Sequence, residues 1–366
     1  MEWLEQKSRK NQKKDRKKGR ISRSCTAACL LLAAFCCCGC AGTELENKSF
    51  PLAVIVAQQD GRHEVCYLAQ QLSEVANERA DGGNMTAAQA SGSTYYETHQ
   101  SFEKSNRCKL DMTHTKAVIF QKGFLESRAF TVFLDTVRSE NTYARNTLVY
   151  LSDAKMEDMA ELNNTLEVPL GSYLEQMTEN EREVKEQAFV TLGTLLNEQA
   201  NASRTLLIPV LEVERGLPVI TSYEAMQGFE TKGRVSVNDA QIYYLLAGQM
   251  QQMDLFLDKE EQVRLIRLKC KRRFQMKDGT VTEQILLKAD AERVTGKSAR
   301  GRIERVLADK VKDSCGKELM LDGVDLTDSS RYLALMAPDI YRAYGKRVQM
   351  YRENLVYDVQ VQVRMI

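Results

Sequence analysis

Apolar and polar positions alternate along this chain in three textures. Phe50 to Ala57, FPLAVIVA, is an unbroken apolar run with β-branched residues and reads as a buried strand. Lys116 to Gln121 and Asn146 to Leu151 repeat that texture, and Phe124 to Val137 between them reads as a helix. Val65 to Val75 begins another element, a strand by its β-branched start, with Ala, Gln and Leu that also permit a helix. Asp153 is the expected N-cap of a helix over 154–162. After Pro169, the residues Leu170, Tyr173, Leu174 and Met177 share one helical face, and 180–197 holds a second helix. Thr205 to Val213 is a strand with Pro209 inside it, which predicts an edge or a bulge.

Beyond Gly216 the texture changes. A hairpin is expected around 228–232, followed by a short helix over 240–247 capped by Asn238 or Asp239. Two long amphipathic strands, 262–276 and 280–291, flank Asp278-Gly279, a strong hairpin signal. Helices are expected over 301–313 and 329–344. The segment 354–366 alternates valine with polar residues and reads as a half-buried strand. Gly, Ser, Thr, Asn and Gln dominate 79–113, which reads as a long loop. The expected class is α+β, with mixed and antiparallel sheets flanked by helices. The expected division is 50–213 with the insert 79–113, a small middle domain over 214–256, and a C-terminal domain over 257–366.

The head of the chain belongs to none of these elements. Ten Lys and Arg crowd residues 1–23, and about ten apolar or small residues follow from Thr26 to Phe35. A basic head, a short apolar core and small residues describe a secretory signal. The run ends in Gly39-Cys40, which resembles a bacterial lipobox, with Cys37 and Cys38 where Leu and then Ala or Ser are usual. In such signals the cysteine is acylated and becomes the new N-terminus. Residues 1–39 are then the signal peptide, 40–49 a tether, and Cys40 the lipid attachment. An uncleaved anchor or an ordinary cleaved signal are the alternatives. No later apolar run reaches the ~20 residues that a spanning helix needs.

That head also distorts the charge balance. The whole chain carries 51 basic and 50 acidic residues; without the ten basic and three acidic residues of 1–39, the net charge is about −6. Nucleic acid is not an expected partner. Beyond Cys40 only Cys66, Cys108, Cys270 and Cys315 remain, too scattered for a zinc framework or a disulfide scaffold. The three histidines form no metal-binding array, and nucleophile-elbow, P-loop and dinucleotide motifs are absent. Neither a catalytic set, a metal nor a cofactor is expected. Asp322-Gly323-Val324-Asp325 lacks the spacing of a calcium loop and reads as a turn.

One charged pattern remains. Arg264, Arg267, Lys269, Lys271, Arg272 and Arg273 lie on one expected strand, where alternate members make a basic ribbon. It suits acidic lipid or an acidic partner surface, and equally a solvated strand face. Arg267, Lys269 and Lys271 are the candidate partner contacts.

The order of segments adds a resemblance. After the lipobox come KAVIFQKGF, then RNTLVYLSDAKMEDMAEL, then TLGTLLNEQANASRTLLIPVLEV before a hairpin at 224–229. The chain closes with a helix, LMLDGVDL and IYRAYGKRVQMYRENLVYDVQVQVRMI. This resembles the Ger(x)C family, the C-subunit lipoproteins of spore germinant receptors. The resemblance implies a non-catalytic α+β protein on the outer face of the spore inner membrane, associated with A and B subunits and responding with them to nutrients. A substrate-binding lipoprotein of a transporter is the alternative, and an envelope hydrolase a third reading that the missing motifs disfavour.

Overall fold

The computed structural model describes residues 48–70, 85–140, 142–185, 189–198, 205–297, 299–319, 321, 324–343 and 355–366. Among them are strands β1 (Lys48–Ser49), β2 (Pro51–Gln59), β3 (Arg62–Gln70) and β4 (Met85–Gly92), then helix α1 (Tyr95–Ser105) and β5 (Lys109–Leu110). Next come β6 (Ala117–Gln121), α2 (Arg128–Glu140), β7 (Leu148–Ser152), α3 (Met156–Thr165), α4 (Leu170–Lys185) and α5 (Leu192–Glu198). The remainder is β8 (Thr205–Glu214), β9 (Leu217–Gln227), β10 (Glu230–Ser236), α6 (Val237–Leu246), β11 (Met253–Phe256), β12 (Gln262–Lys277), β13 (Thr280–Arg293), α7 (Arg300–Leu319), α8 (Ser329–Met336), α9 (Pro338–Ala343) and β14 (Leu355–Met365).

Eight strands form one mixed sheet in the order β10-β9-β8-β7-β6-β2-β3-β4. The unbroken apolar texture of β2, β6 and β7 follows from burial on both faces. Val54, Val56, Val118, Phe120, Val149 and Leu151 enter one core, with α1, α2 and α5 over it. Ala53, Ile55, Ala117, Ile119, Leu148 and Tyr150 enter another, under α3 and α4. The first core is aromatic: Phe133 meets Tyr95 and Phe120 edge-on at centroid distances of 4.6 and 5.2 Å. Such pairs contribute about 0.5–1.5 kcal/mol each beyond their buried area. In the second core α4 crosses very close to β2, where only Gly171 lets the two backbones meet: a Cβ there would lie 2.0 Å from the Leu52 carbonyl oxygen.

The second sheet has the order β11-β12-β13-β14, antiparallel except for β14, which runs parallel to β13. Its inner face packs on α7, and its core runs on through α6 to Leu207, Tyr223 and Val235 of the first sheet. The two sheets differ in size and topology and are not matched lobes. The first two strands of the segment 214–256 extend the eight-stranded sheet, and its last strand, β11, belongs to the four-stranded one.

A buried polar knot ties the second sheet to α8. Arg272 of β12 donates to Glu283 Oε1 across the pair, to the Thr327 carbonyl and to Ser329 Oγ. Tyr332 lies 4.5 Å from the guanidinium carbon, ring face toward it. Arg272 and Glu283 have side chains 1% and 0% exposed. Burial alone would push the Arg272 pKa down, but the Glu283 carboxylate outweighs it and raises it. Asp325 closes the knot by accepting from the Ser329 and Ser330 N–H groups at the start of α8.

Several expectations change. Residues 85–113 are β4, α1, β5 and a short 3-10 turn (Met112–His114), not a loop. Their polar composition misleads because β4 is a sheet edge and α1 buries only Tyr95, Thr98 and Phe102, with Thr94 as its cap. Asp153 caps no helix; α3 starts after Lys155, and Asp153 pairs with Arg234 at 2.7 Å. Helix α2 starts at Arg128, because Phe124 closes a turn onto the Gln121 carbonyl. Pro209 lies in an interior strand, but β7 pairs with β8 only at Val210 and Leu211, and a bulge follows on the β9 side. The helix expected over 329–344 breaks before Pro338, which lacks an N–H and cannot continue α8. In β14, Val356 faces outward and is 52% exposed, while Val359 and Val363 face inward.

Three predictions follow from packing and burial. Gly171→Ala should lower stability by about 3 kcal/mol or more through overpacking against Leu52, whereas Gly316→Ala on α7, with open space beside it, should raise it by about 0.5–1 kcal/mol; thermal unfolding followed by circular dichroism reads both. Arg272→Met strands the Glu283 carboxylate in the core and should cost about 3–5 kcal/mol in urea unfolding. The third concerns His99, which packs on the rings of Tyr67 and Tyr95, with Nε2 lacking a hydrogen-bond partner among the described residues. Burial holds its pKa down at about 4, so the unfolded chain, near pH 6.5, takes the proton first. Its contribution is fully present above about pH 6.5 and is lost as pH falls toward 4. His99→Phe should therefore lose less stability than the wild type between pH 7 and pH 5, as read from urea midpoints.

Candidate functional site

The basic run lies on β12, and a single bulge decides how it is displayed. Up to Ile266 the strand faces inward at Val263 and Leu265. At Arg267 the backbone turns to φ +52°, and the register with β13 slips by one residue, from Ile266 opposite Asp290 to Lys269 opposite Lys288. The Leu268 N–H freed from the ladder donates to the Gln251 carbonyl at 2.9 Å. Beyond the bulge Leu268, Arg272 and Phe274 point inward and are buried. Arg267, Lys269, Lys271 and Arg273 become exposed on the outer face. Val263 and Leu265 share sequence parity with these cations, and the bulge sends the two sets to opposite faces.

The outer face is hollowed beside the bulge. A recess of about 640 Å³, open to solvent, is lined by Arg267, Lys269, Lys288, Arg300 and Arg364. Asp290 is the carboxylate in its wall. Arg364 holds it with two parallel hydrogen bonds of 2.8 Å, and Arg267 Nε lies 2.5 Å from Oδ2. These contacts, Arg364 first, hold the Asp290 carboxyl below its usual range against the effect of burial. Arg300 is held by Glu304 at 2.7 Å.

Two of the three candidate contacts, Arg267 and Lys269, thus line the recess. Lys271 stands on the same face outside it. Cys40 lies outside the described residues. Lys288, Arg300 and Arg364 were not among the candidates. The first was within reach, because counting outward from the Asp278-Gly279 turn brings Lys269 opposite Lys288. Arg300 and Arg364 arrive through a helix and a parallel strand whose register no local signal states. Among the described residues no three His, Cys, Asp or Glu side chains converge as a metal site, and no helix is long and apolar enough to cross a membrane. The arrangement can attract and hold negative charge. Cys66, buried among apolar side chains, has its thiol pushed up to about 12, which makes it a poor nucleophile.

Comparison with known proteins bears on the rest of the chain. The sequence model of the spore germination protein N-terminal domain matches residues 42–213, the stretch from just before β1 to the penultimate residue of β8. The crystal structure of the GerBC protein has the same fold, with a TM-score of 0.52 over 87% of this chain and 99% of that one, at 13% sequence identity. No curated protein matches the sequence. Residues 42–213 thus match a spore germination protein N-terminal domain, and most of the chain has the fold of the GerBC protein.

Proposed function

We propose that this protein is a non-catalytic, lipid-anchored C subunit of a nutrient germinant receptor, required for spore germination. The observation that carries the reading is a junction: the germination domain match opens at residue 42, two residues after the lipobox-like Gly39-Cys40. Acylated at Cys40, the chain would be tethered to the outer face of the spore inner membrane. Only residues 41–47 would separate the lipid from β1, a reach of about 25–30 Å when fully extended. One acyl chain binds a bilayer marginally, and two or three bind it stably.

A tethered protein without a reactive constellation acts by binding. Its membrane-embedded partner would be the B subunit, with the A subunit completing the receptor. The outer face of the four-stranded sheet, with Arg267, Lys269 and Lys271, is the proposed contact. Charge complementarity at such a face sets orientation and association rate more than affinity.

In a strain carrying Cys40→Ala, the precursor should stay uncleaved and take up no diacylglyceryl label; normal labelling would move the acylated residue to Cys36, Cys37 or Cys38. Deletion of the gene should slow nutrient-triggered germination and leave vegetative growth unchanged, and a wild-type germination rate with every nutrient would count against the receptor reading. Reversing Arg267, Lys269 and Lys271 to Glu should reduce co-purification with the multi-spanning subunit from spore membranes. An undiminished yield would remove this face from the contact.

A further inference from the structure

We infer that the recess beside the β12 bulge is a binding site for a phosphate-bearing anion. This deepens the reading of the basic face and rests on it only for where that anion would be met. Lys269 and Lys288 stand directly opposite each other on paired strands. Like charges in that position destabilise a sheet, and neither lysine has a carboxylate partner among the described residues. Asp290 cannot relieve them, since its two oxygens are held by Arg364 and Arg267. The first residue of α7, Arg300, also lines the recess, at the positively polarised end of a 20-residue helix with no acid in its first turn. Its partner Glu304 is shared with the Val363 N–H.

The protein therefore holds repelling cations together and aims them into one hollow. The charge comes from separate directions: β12, β13, β14 and the start of α7. A tetrahedral phosphate group presents oxygens to several of them at once, where a planar carboxylate would meet one pair. The volume, about 640 Å³, exceeds one phosphate ion and suits a headgroup or a larger phosphate ester. Anionic phospholipid headgroups and free phosphates share this chemistry, and basic pockets near a bilayer take the former. Filling the recess would relieve the Lys269–Lys288 repulsion, so binding should stabilise the fold as well.

The test uses the full chain purified in a neutral detergent. Inorganic pyrophosphate is titrated by calorimetry, and in parallel the micelles are doped with phosphatidylglycerol or with zwitterionic phosphatidylcholine, with thermal unfolding as a second readout. Saturable binding is expected, with a rise in melting temperature. The double variant Lys269→Gln/Lys288→Gln should weaken it by about tenfold or more, while Lys271→Gln, outside the recess, should leave it within about twofold. Binding to phosphatidylglycerol micelles without binding to pyrophosphate assigns the site to a lipid headgroup; binding to pyrophosphate with no preference between the two lipids assigns it to a free phosphate. Failure of both ligands to bind overturns the inference, as does an equal loss in Lys271→Gln, which would mean diffuse attraction by the whole face. None of these results depends on Cys40 labelling or on co-purification, so the receptor reading can fail while the site stands, and the reverse.

Discussion

At Arg267 and Leu268 two residues of β12 stand opposite Ala289 of β13, and the alternation of side chains inverts there. A one-residue offset in a strand exchanges its faces. Here the exchange does two things at once. It swings Arg272 inward onto Glu283, where the pair anchors the start of α8. It also turns Arg267, Lys269 and Lys271 outward into the basic face. Without the bulge, the later lysines would lie on the side of Val263 and Leu265, against α7, and neither the buried knot nor the recess could exist. The Gln251 carbonyl that receives the Leu268 N–H makes the distortion satisfiable rather than merely tolerated.

Elements whose side chains obey one strong local rule were legible in the sequence. The doubly buried β2, β6 and β7 show as continuous apolar runs, and the Asp278-Gly279 hairpin shows because a turn with two positive φ angles favours that dipeptide. What escaped depends on distant partners. The edge strand β4 and helix α1 carry few apolar residues, and α1 takes its stability from Tyr95 and Phe102 in a core built mostly by other segments. The place of β9 and β10 in the first sheet rests on the pairing of β9 with β8 rather than on a local pattern. The bulge left only a faint trace, a change of parity between Leu265 and Leu268 among the apolar residues of β12. The recess was half visible: Arg267 and Lys269 lie on the conspicuous run, whereas Arg300 and Arg364 join it through the packing of α7 and β14.

The spore germination domain and the basic face occupy different parts of the chain. The match ends at Val213, within the first sheet, and every cation of the recess lies after it. The second sheet is where this chain displays its charge.

The parallel pairing of β14 has a consequence for the order in which the molecule is made. The eight-stranded sheet is complete once residue 236 has emerged, so it can close early during synthesis. The four-stranded sheet cannot. Its β13 waits for a partner about 60 residues further on, separated by α7, α8 and α9. Until then β13 has an open edge and the hydrophobic inner side of the sheet is only partly roofed. Closing so long a loop is slow, and exposed edges of this kind invite pairing between molecules. Loss of residues 355–366 would therefore leave the first sheet intact and the second permanently unfinished, a product prone to self-association and open to proteases.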